Sequence, residues 1–385
     1  MHNMAALKPA PSPQIAGVSR RAALALPAVP FLLGARPSKA FVSSDVAVKA
    51  LADLPMRRLK LPKGGVGRDY LLAQLTIKGK GPYDFMVDSG LTAELITPHL
   101  QEVLGIQGGN TRVSGLGAGG SVSAGQLVPL EGAALCCGEF PAYGGAELPL
   151  PPLNAVVTAF PQEHLDPEHD PVEGMLGMEM LSLFDADFDF PAGRLRLYRP
   201  GEGAAAAAEA GLIEVPAAVI NESGLLAIRA TSPGAPSPQP FTAILDCGAS
   251  FSAINWAAAG LVGLPARGDR AYQRGPQIYS VGVDGRPAPY PTHPLTLTFK
   301  GDASKDPRTG GLSFAPPPAG WRPWDAVDAA VGDLPVFGQL LGDPGASFKG
   351  PAVLVGLDVL SQRRTMLCAG KDGEGRRRRL YVGAR

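Results

Sequence analysis

The chain of 385 residues carries 35 basic and 35 acidic side chains, so its formal net charge is zero. This balance excludes a protein that binds nucleic acid through its overall charge. Glycine (49) and proline (39) are abundant and aromatic residues make up only 6%, which favours short strands and many turns over long helices.

Residues 1–44 are predicted to be a targeting presequence, mostly disordered, rather than a domain. They contain no Asp or Glu, and the pair Arg20 and Arg21 precedes the apolar stretch from Ala22 to Leu33. This pattern is similar to a twin-arginine signal or a bipartite plastid presequence. We therefore expect a plastid protein that a twin-arginine-like signal could direct to the thylakoid lumen, and the alternative is a mitochondrial or secreted protein. The apolar stretch is too short to span a bilayer, so we expect no stable membrane span after processing.

Two apolar runs in the chain end in the same way. Phe85 to Gly90 reads FMVDSG, and Ala243 to Gly248 reads AILDCG. In both copies an apolar residue follows eight positions after the Asp, at Ile96 and at Ile254. Because a buried carboxylate is costly, two such copies indicate that Asp88 and Asp246 meet. The glycines permit a close approach of the two chain segments that a Cβ would block.

A second signature repeats in the same order. Met175 to Ser182 (MLGMEMLS) follows the first copy, and Leu354 to Ser361 (LVGLDVLS) follows the second. The internal repeat predicts an N-terminal lobe at 45–200 and a C-terminal lobe at 212–385, the latter with an insertion around 301–350. We interpret residues 201–211, with their Ala204–Ala208 run, as the interlobe linker, a short helix being the alternative.

Helices are predicted only just after the two Asp loops, from Thr97 to Leu104 and from Asn255 to Leu261. Glycine-rich segments lie between the two signatures of each half and suit mobile hairpin tips. The flap candidates are Gly117, Gly119 and Gly120 in the first half and Val281 and Gly282 in the second. Plain surface hairpins are the alternative.

These residues resemble the aspartic peptidases, in a retropepsin-like or pepsin-like version with two lobes fused in one chain. That family carries apolar-apolar-Asp-(Thr/Ser)-Gly followed in each lobe by two apolar residues and Gly, and the resemblance spans about residues 60–385. It implies an all-β, bilobal pepsin/retropepsin-like acid protease fold with pseudo-twofold symmetry. It also implies an aspartic-type endopeptidase with Asp88 and Asp246 as the catalytic residues.

Two carboxyl groups a few Å apart share a proton, so one can activate a water while the other donates to a peptide carbonyl. The resemblance gives Ser89, Gly90, Cys247 and Gly248 the role of supporting the dyad, the residue after each Asp locking the lobes together. Cys247 departs from the pattern, since a thiol is a weak donor. A peptidase-fold protein of weak or no activity, acting as a peptide-binding or scaffold module, is therefore the alternative.

The expected partner is a peptide or protein substrate, and we expect a monomer. Cleavage near residue 40 leaves 30 basic against 35 acidic side chains, which again disfavours a nucleic-acid partner. His164 and His169 match no recognised ligand spacing, so we expect neither a metal nor another cofactor. Four cysteines do not make a disulfide framework in a chain this long.

Overall fold

A computed structural model describes residues 47–61, 65–109, 111–116, 122–159, 169–220, 223–281, 287–341, 348–368 and 378–384. The predicted presequence at 1–44 lies outside these residues. The described chain is mostly β-sheet with short helices, which confirms the predicted all-β class. No helix within the described ranges has the length and apolar character needed to cross a membrane.

The first half of the chain begins with paired strands and reaches its first helix only after the first Asp loop. Its elements are β1 (Ala52–Pro55), β2 (Arg57–Leu59), β3 (Tyr70–Ile77), β4 (Lys80–Val87), β5 (Glu94–Ile96), α1 (Pro98–Leu104), β6 (Arg112–Leu116), β7 (Val122–Leu130), β8 (Ala133–Leu135), β9 (Leu148–Pro149), β10 (Leu153–Val157), β11 (Val172–Leu176), α2 (Met178–Leu181), β12 (Asp185–Asp189) and β13 (Arg194–Tyr198).

The second half opens with a helix inside the predicted linker. Its elements are α3 (Gly203–Glu209), β14 (Ile213–Val215), β15 (Ala217–Val219), β16 (Leu226–Thr231), β17 (Phe241–Leu245), β18 (Ala253–Ile254), α4 (Trp256–Leu261), α5 (Arg270–Arg274), β19 (Gln277–Val281), β20 (Pro287–Leu295), β21 (Thr298–Phe299), β22 (Ala303–Lys305), β23 (Leu312–Phe314), β24 (Val327–Val331), α6 (Val336–Leu340), β25 (Ala352–Val355), α7 (Leu357–Leu360), β26 (Thr365–Cys368) and β27 (Arg379–Val382).

The two halves build sheets with the same internal order. The first sheet runs β6-β7-β10-β5-β11-β4-β3, and the second runs β19-β20-β24-β18-β25-β17-β16. In both, the strand that ends at the Asp pairs in parallel with the strand of the second signature, β4 with β11 and β17 with β25. The Asp-bearing strands are buried where they approach the loop, as parallel pairs covered on both faces require.

A third sheet contains strands from both halves of the chain. Its order is β1-β13-β12-β26-β27-β14, so β12 of the first half pairs directly with β26 of the second. Charged side chains cross this junction: Arg364 donates from Nε and Nη2 to the buried Asp187 carboxylate at 2.9 and 2.6 Å. This sheet ties the two halves into one unit.

The helices that follow the Asp loops begin at side-chain caps. Thr97 Oγ1 accepts the Leu100 N–H at the start of α1, and Asn255 Oδ1 accepts the Ala258 N–H at the start of α4. Each predicted helix is therefore present, with its first residue acting as the cap. In the predicted linker the alanine run forms α3, so the helical alternative is the correct one there.

The predicted insertion around 301–350 includes a strand with a counterpart in the first half. Val327–Val331 is β24, which has the place in its sheet that β10 has in the other, so the additional residues are those before β24. That part carries the β22–β23 hairpin and two tryptophans. Trp321 packs edge-on against Phe299 and Trp324 with ring centroids 4.7 and 4.9 Å away, so these rings serve packing.

Candidate active site

Asp88 and Asp246 follow directly on β4 and β17. Their amides close the parallel ladders: Asp88 N–H donates to Leu176 O at 2.9 Å, and Asp246 N–H donates to Val355 O at 3.0 Å. In both halves, the strand of the second signature therefore binds the backbone of the Asp. Because this backbone is held at the end of a buried apolar strand, the position of each Asp side chain is set by the sheet.

The structure brings the two carboxyl groups close enough for each to influence the pKa of the other. The glycines of the two loops show how close the approach is. A Cβ on Gly90 would lie 2.4 Å from Asp246 Cγ, and a Cβ on Gly248 would lie 2.1 Å from Asp88 Cγ. Any side chain at either glycine would therefore displace the opposite carboxyl group.

Backbone amides orient both carboxyls. Gly90 N–H donates to Asp88 Oδ1 at 2.7 Å, and Asp246 Oδ1 accepts from Gly248 N–H at 2.9 Å and from Ala249 N–H at 3.1 Å. Such donors favour the charged form of a carboxyl and so act against the effect of burial.

Burial is nevertheless the larger influence on both acids. It raises the pKa of Asp88 above its ordinary value, against the hydrogen bonds from Gly90 and Asp246. Burial, and after it the negative charge of Asp88, raises the pKa of Asp246 well above its ordinary value. The raised pKa values favour a proton shared by the pair, which titrates as a unit.

The residues after the two Asp form a reciprocal lock between the halves. Ser89 Oγ donates to Leu245 O at 3.0 Å and accepts the Cys247 N–H at 2.9 Å. In return, the Ser89 N–H donates to Cys247 Sγ at 3.3 Å, and Cys247 Sγ donates to Val87 O at 3.4 Å. The lock is complete on both sides, but the thiol side has longer and weaker bonds.

Two polar residues near the dyad were missed by sequence reasoning. Tyr70 on β3 lies close to Ser250, and burial raises the pKa of Tyr70, opposed by Ser250 and helped by the charges of Asp246 and Asp88. Ser250 also ties down the preceding segment, donating to Val66 O at 3.1 Å and accepting Arg68 N–H at its own carbonyl at 2.9 Å. Ser250 lies four residues after Asp246, so its place in the repeat was the available signal; Tyr70 belongs to no motif.

The strands that adjoin the flap candidates in sequence form two antiparallel pairs. Strands β6 and β7 pair over Arg112–Leu116, and β19 and β20 pair over Gln277–Val281. Val281 is the last residue of β19, whereas Gly117, Gly119, Gly120 and Gly282 lie outside the described residues. Strands of both predicted hairpins are thus present.

A pocket of about 360 Å³ lies beside the loop that follows Asp246. Its walls include Phe251, the Val66–Arg68 segment, Asp325 and Asp328. Neither dyad residue lines it, so it adjoins the loop rather than containing the two carboxyls.

No grouping of three or more His, Cys, Asp or Glu side chains within the described ranges is arranged to hold a metal ion. His169 instead lies 3.7 Å from Asp84, a carboxylate that also pairs with Arg57, while His164 is outside the described residues. The four cysteines, all of them described, are free thiols.

Comparison with known proteins gives one family match and many structural ones. Residues 73–180 match the family described as aspartyl protease, a range that includes Asp88, Gly90 and Gly177. A search of curated proteins gave no match.

The structural neighbours include basic 7S globulin from soybean and conglutin gamma, a basic 7S globulin from lupine seeds. Each is 10% identical with a TM-score of 0.44; the soybean alignment covers 87% of this chain and 95% of that one, the lupine alignment 88% and 96%. A likeness at this level carries no functional conclusion. The motif repeat, the β-sheet fold and the match over residues 73–180 make this chain similar to the aspartyl protease family, and that match covers 108 of its 385 residues.

Proposed function

We propose that this protein is an aspartic-type endopeptidase that hydrolyses peptide bonds with a water activated by Asp88 and Asp246. One observation carries the proposal: two carboxyl groups from opposite halves of the chain each lie against the glycine of the opposite Asp loop, and both have raised pKa values. A pair with no role would be an expensive arrangement, since two like charges are brought together in a partly buried place.

The two acids divide the proton transfers between them. The member of the dyad that holds the proton donates it to the carbonyl oxygen of the scissile bond. The ionised member takes a proton from the attacking water. The reaction needs the singly protonated dyad, so the rate should fall both when the dyad loses its last proton and when it gains a second.

The matching strand orders of the first two sheets support a two-lobed organisation with lobes at 45–200 and 212–385. In that arrangement the pocket beside Phe251 extends the cleft and offers room for a side chain of an extended peptide.

The test is cleavage of a peptide library at acid pH by the wild type, Asp88→Asn and Asp246→Asn. Both variants should lose cleavage while their unfolding midpoints stay close to that of the wild type. Asp306→Asn, which changes a fully exposed carboxylate, serves as the control and should cleave normally. Cleavage by the double variant at a rate comparable to the wild type would refute the dyad.

A second candidate is a peptide-binding module that keeps the fold without turnover, favoured by the thiol in the lock. Cys247→Thr separates the two. A large gain in hydrolysis supports a weakened enzyme, whereas binding of a statine-type transition-state mimic with no hydrolysis in either form supports the binder.

A further inference from the structure

Glu94 is a buried carboxyl group that the proposed chemistry does not use. It opens β5, six residues after Asp88, and its side chain is fully buried. Glu94 Oε1 accepts the Met180 N–H at 2.8 Å and the Gly177 N–H at 3.3 Å. Its buried Oε2 has no hydrogen-bond partner among the described residues.

The second half solves the same structural problem with two side chains. Ser252 is the counterpart of Glu94, and its Oγ accepts the Gly356 N–H at 2.9 Å and donates to Asp358 Oδ1 at 2.6 Å. Asp358 Oδ1 in turn accepts the Val359 N–H at 2.9 Å. In the second half, Ser252 accepts the N–H of Gly356 and Asp358 accepts the N–H of Val359. In the first half, one oxygen of Glu94 accepts both of the corresponding N–H groups, those of Gly177 and Met180.

Glu179 is the counterpart of Asp358 in the first half, and it makes a different contact. Its Oε1 accepts the backbone N–H of Asn154 at 3.0 Å and the side-chain N–H of Asn154 at 2.9 Å. Glu94 thus acts alone at the turn, and the acidic side chain of Glu179 remains close to it.

The turn that Glu94 holds is the one that holds Asp88. Asp88 N–H donates to Leu176 O, next to Gly177, and Met178 N–H donates to Leu91 O at 2.8 Å in the Asp88 loop. A Cβ on Gly177 would lie 2.8 Å from Leu91 O, so loop and turn are in close contact. Movement of the turn therefore moves the loop that carries Asp88.

We propose that Glu94 is a positioning residue for Asp88, and that ionisation of Glu94 loosens the Gly177–Met180 turn so that the order of the Asp88 loop falls as pH rises towards neutrality. The link to turnover rests on the proposed peptidase function, whereas the link to loop order does not.

The surroundings of Glu94 make its charged form unfavourable. The titratable groups on the elements packed around Glu94 are Glu179 on α2 and Glu173 on β11. The residues of β10, Leu153–Val157, carry no titratable side chain. Glu173 is already bound to Thr97 and His99. Burial, and to a lesser degree Glu179, raises the pKa of Glu94 to about 7 against the hydrogen bonds from Met180 and Gly177.

The direction of the pH effect follows from this raised pKa. In the unfolded chain Glu94 ionises near its ordinary value of about 4.3, whereas in the folded chain it stays neutral until about 7. Between these values the folded state binds more protons, so its stability falls as pH rises and levels off above about 7. Opening the turn hydrates Oε2 and relieves the buried charge.

The test compares the wild type with Glu94→Gln from pH 5 to 8.5. The amide oxygen of Gln still accepts from both backbone amides but the side chain cannot ionise. We expect the unfolding equilibrium of the wild type, relative to the variant, to shift towards the unfolded state by on the order of 100-fold across this range. A pH-independent difference between the two proteins would overturn the proposal.

Hydrogen exchange at residues 176–181 gives a second readout that does not depend on Glu94→Gln. Protection of this segment in the wild type, corrected for intrinsic exchange, should fall as pH rises to about 7 and level off above that value. Glu179→Gln keeps the acceptor for Asn154 and removes the neighbouring negative charge, which lowers the pKa of Glu94, so the loss of protection should be smaller and should level off at a lower pH. Constant protection in the wild type across this range would overturn the proposal even if Glu94→Gln does not fold.

Cleavage kinetics then separate this inference from the proposed function. If Glu94 positions Asp88, Glu94→Gln should extend the alkaline limb of the kcat profile with KM little changed. If no protein cleaves peptide but stability and exchange still depend on pH as expected, the peptidase proposal fails while the role of Glu94 in loop order stands.

Discussion

The asymmetry of the lock at Ser89 and Cys247 predicts that the two residues differ in their importance. Ser89→Ala removes one hydroxyl that makes two bonds, leaving Cys247 N–H and Leu245 O without their partner. All these groups are buried, and each one left unsatisfied costs about 1–3 kcal/mol. We therefore expect Ser89→Ala to lower the free energy of unfolding by about 2–6 kcal/mol.

Cys247→Ala should cost less. It removes the longer contacts at 3.3 and 3.4 Å, in which sulfur is a poor donor and acceptor. Together with the loss of a buried sulfur we expect about 1–2 kcal/mol.

Urea unfolding of the wild type and both variants measures the two costs. Ser304→Ala, on the exposed β22–β23 hairpin, is the matched control and should change stability by no more than about 0.5 kcal/mol. Binding of a statine-type mimic should weaken in the same order as stability, because the lock sets the separation of the halves. A cost for Cys247→Ala equal to or above that for Ser89→Ala would refute the reasoning.

Three other changes have expected outcomes. Gly248→Ala places a methyl 2.1 Å from Asp88 Cγ, so binding of the mimic should fall by at least tenfold, measured by calorimetry; unchanged binding would contradict the close approach. Arg364→Ala leaves the Asp187 carboxylate buried without its main partner and should lower stability by about 3–5 kcal/mol in urea, a loss that an exposed pair such as Arg199 and Glu202 should not match. Among the thiols, the exposed Cys137 should be alkylated in the folded protein at pH 7.5, while the buried Cys247, whose pKa burial raises to about 12, reacts only on unfolding; equal labelling in a mass spectrum would refute this.

Sequence alone predicted the parts of the fold that the repeat encodes. Because buried carboxylates are costly and each Asp is followed by a glycine, the repeat predicts that Asp88 and Asp246 lie close together. In the structure, each carboxyl lies against the glycine of the opposite loop. The helices at α1 and α4 were predicted from their apolar spacing after the Asp loops, whereas their caps at Thr97 and Asn255 were found in the structure. These features depend on local sequence and on one long-range relation that duplication makes visible.

Other features depend on contacts that no motif announces. Tyr70 reaches Ser250 only because β3 is the neighbour of β4 in the folded sheet. The role of Glu94 was hidden because the repeat aligned it with Ser252, a residue of different size and charge. The equivalence of β24 to β10 is not evident from the sequence, because β24 is short and its alternation is weak; its pairing with β18 and β20 identifies it.

The pairing of β12 with β26 has a consequence for any attempt to divide the molecule. Cutting the chain within α3 would give two fragments. One would contain β12 without its partner β26, and the other would contain β26 without its partner β12. Each fragment would expose a row of backbone donors and acceptors, which is a template for self-association. Fragments produced separately should therefore aggregate, whereas fragments made together can restore the pairing of β12 with β26.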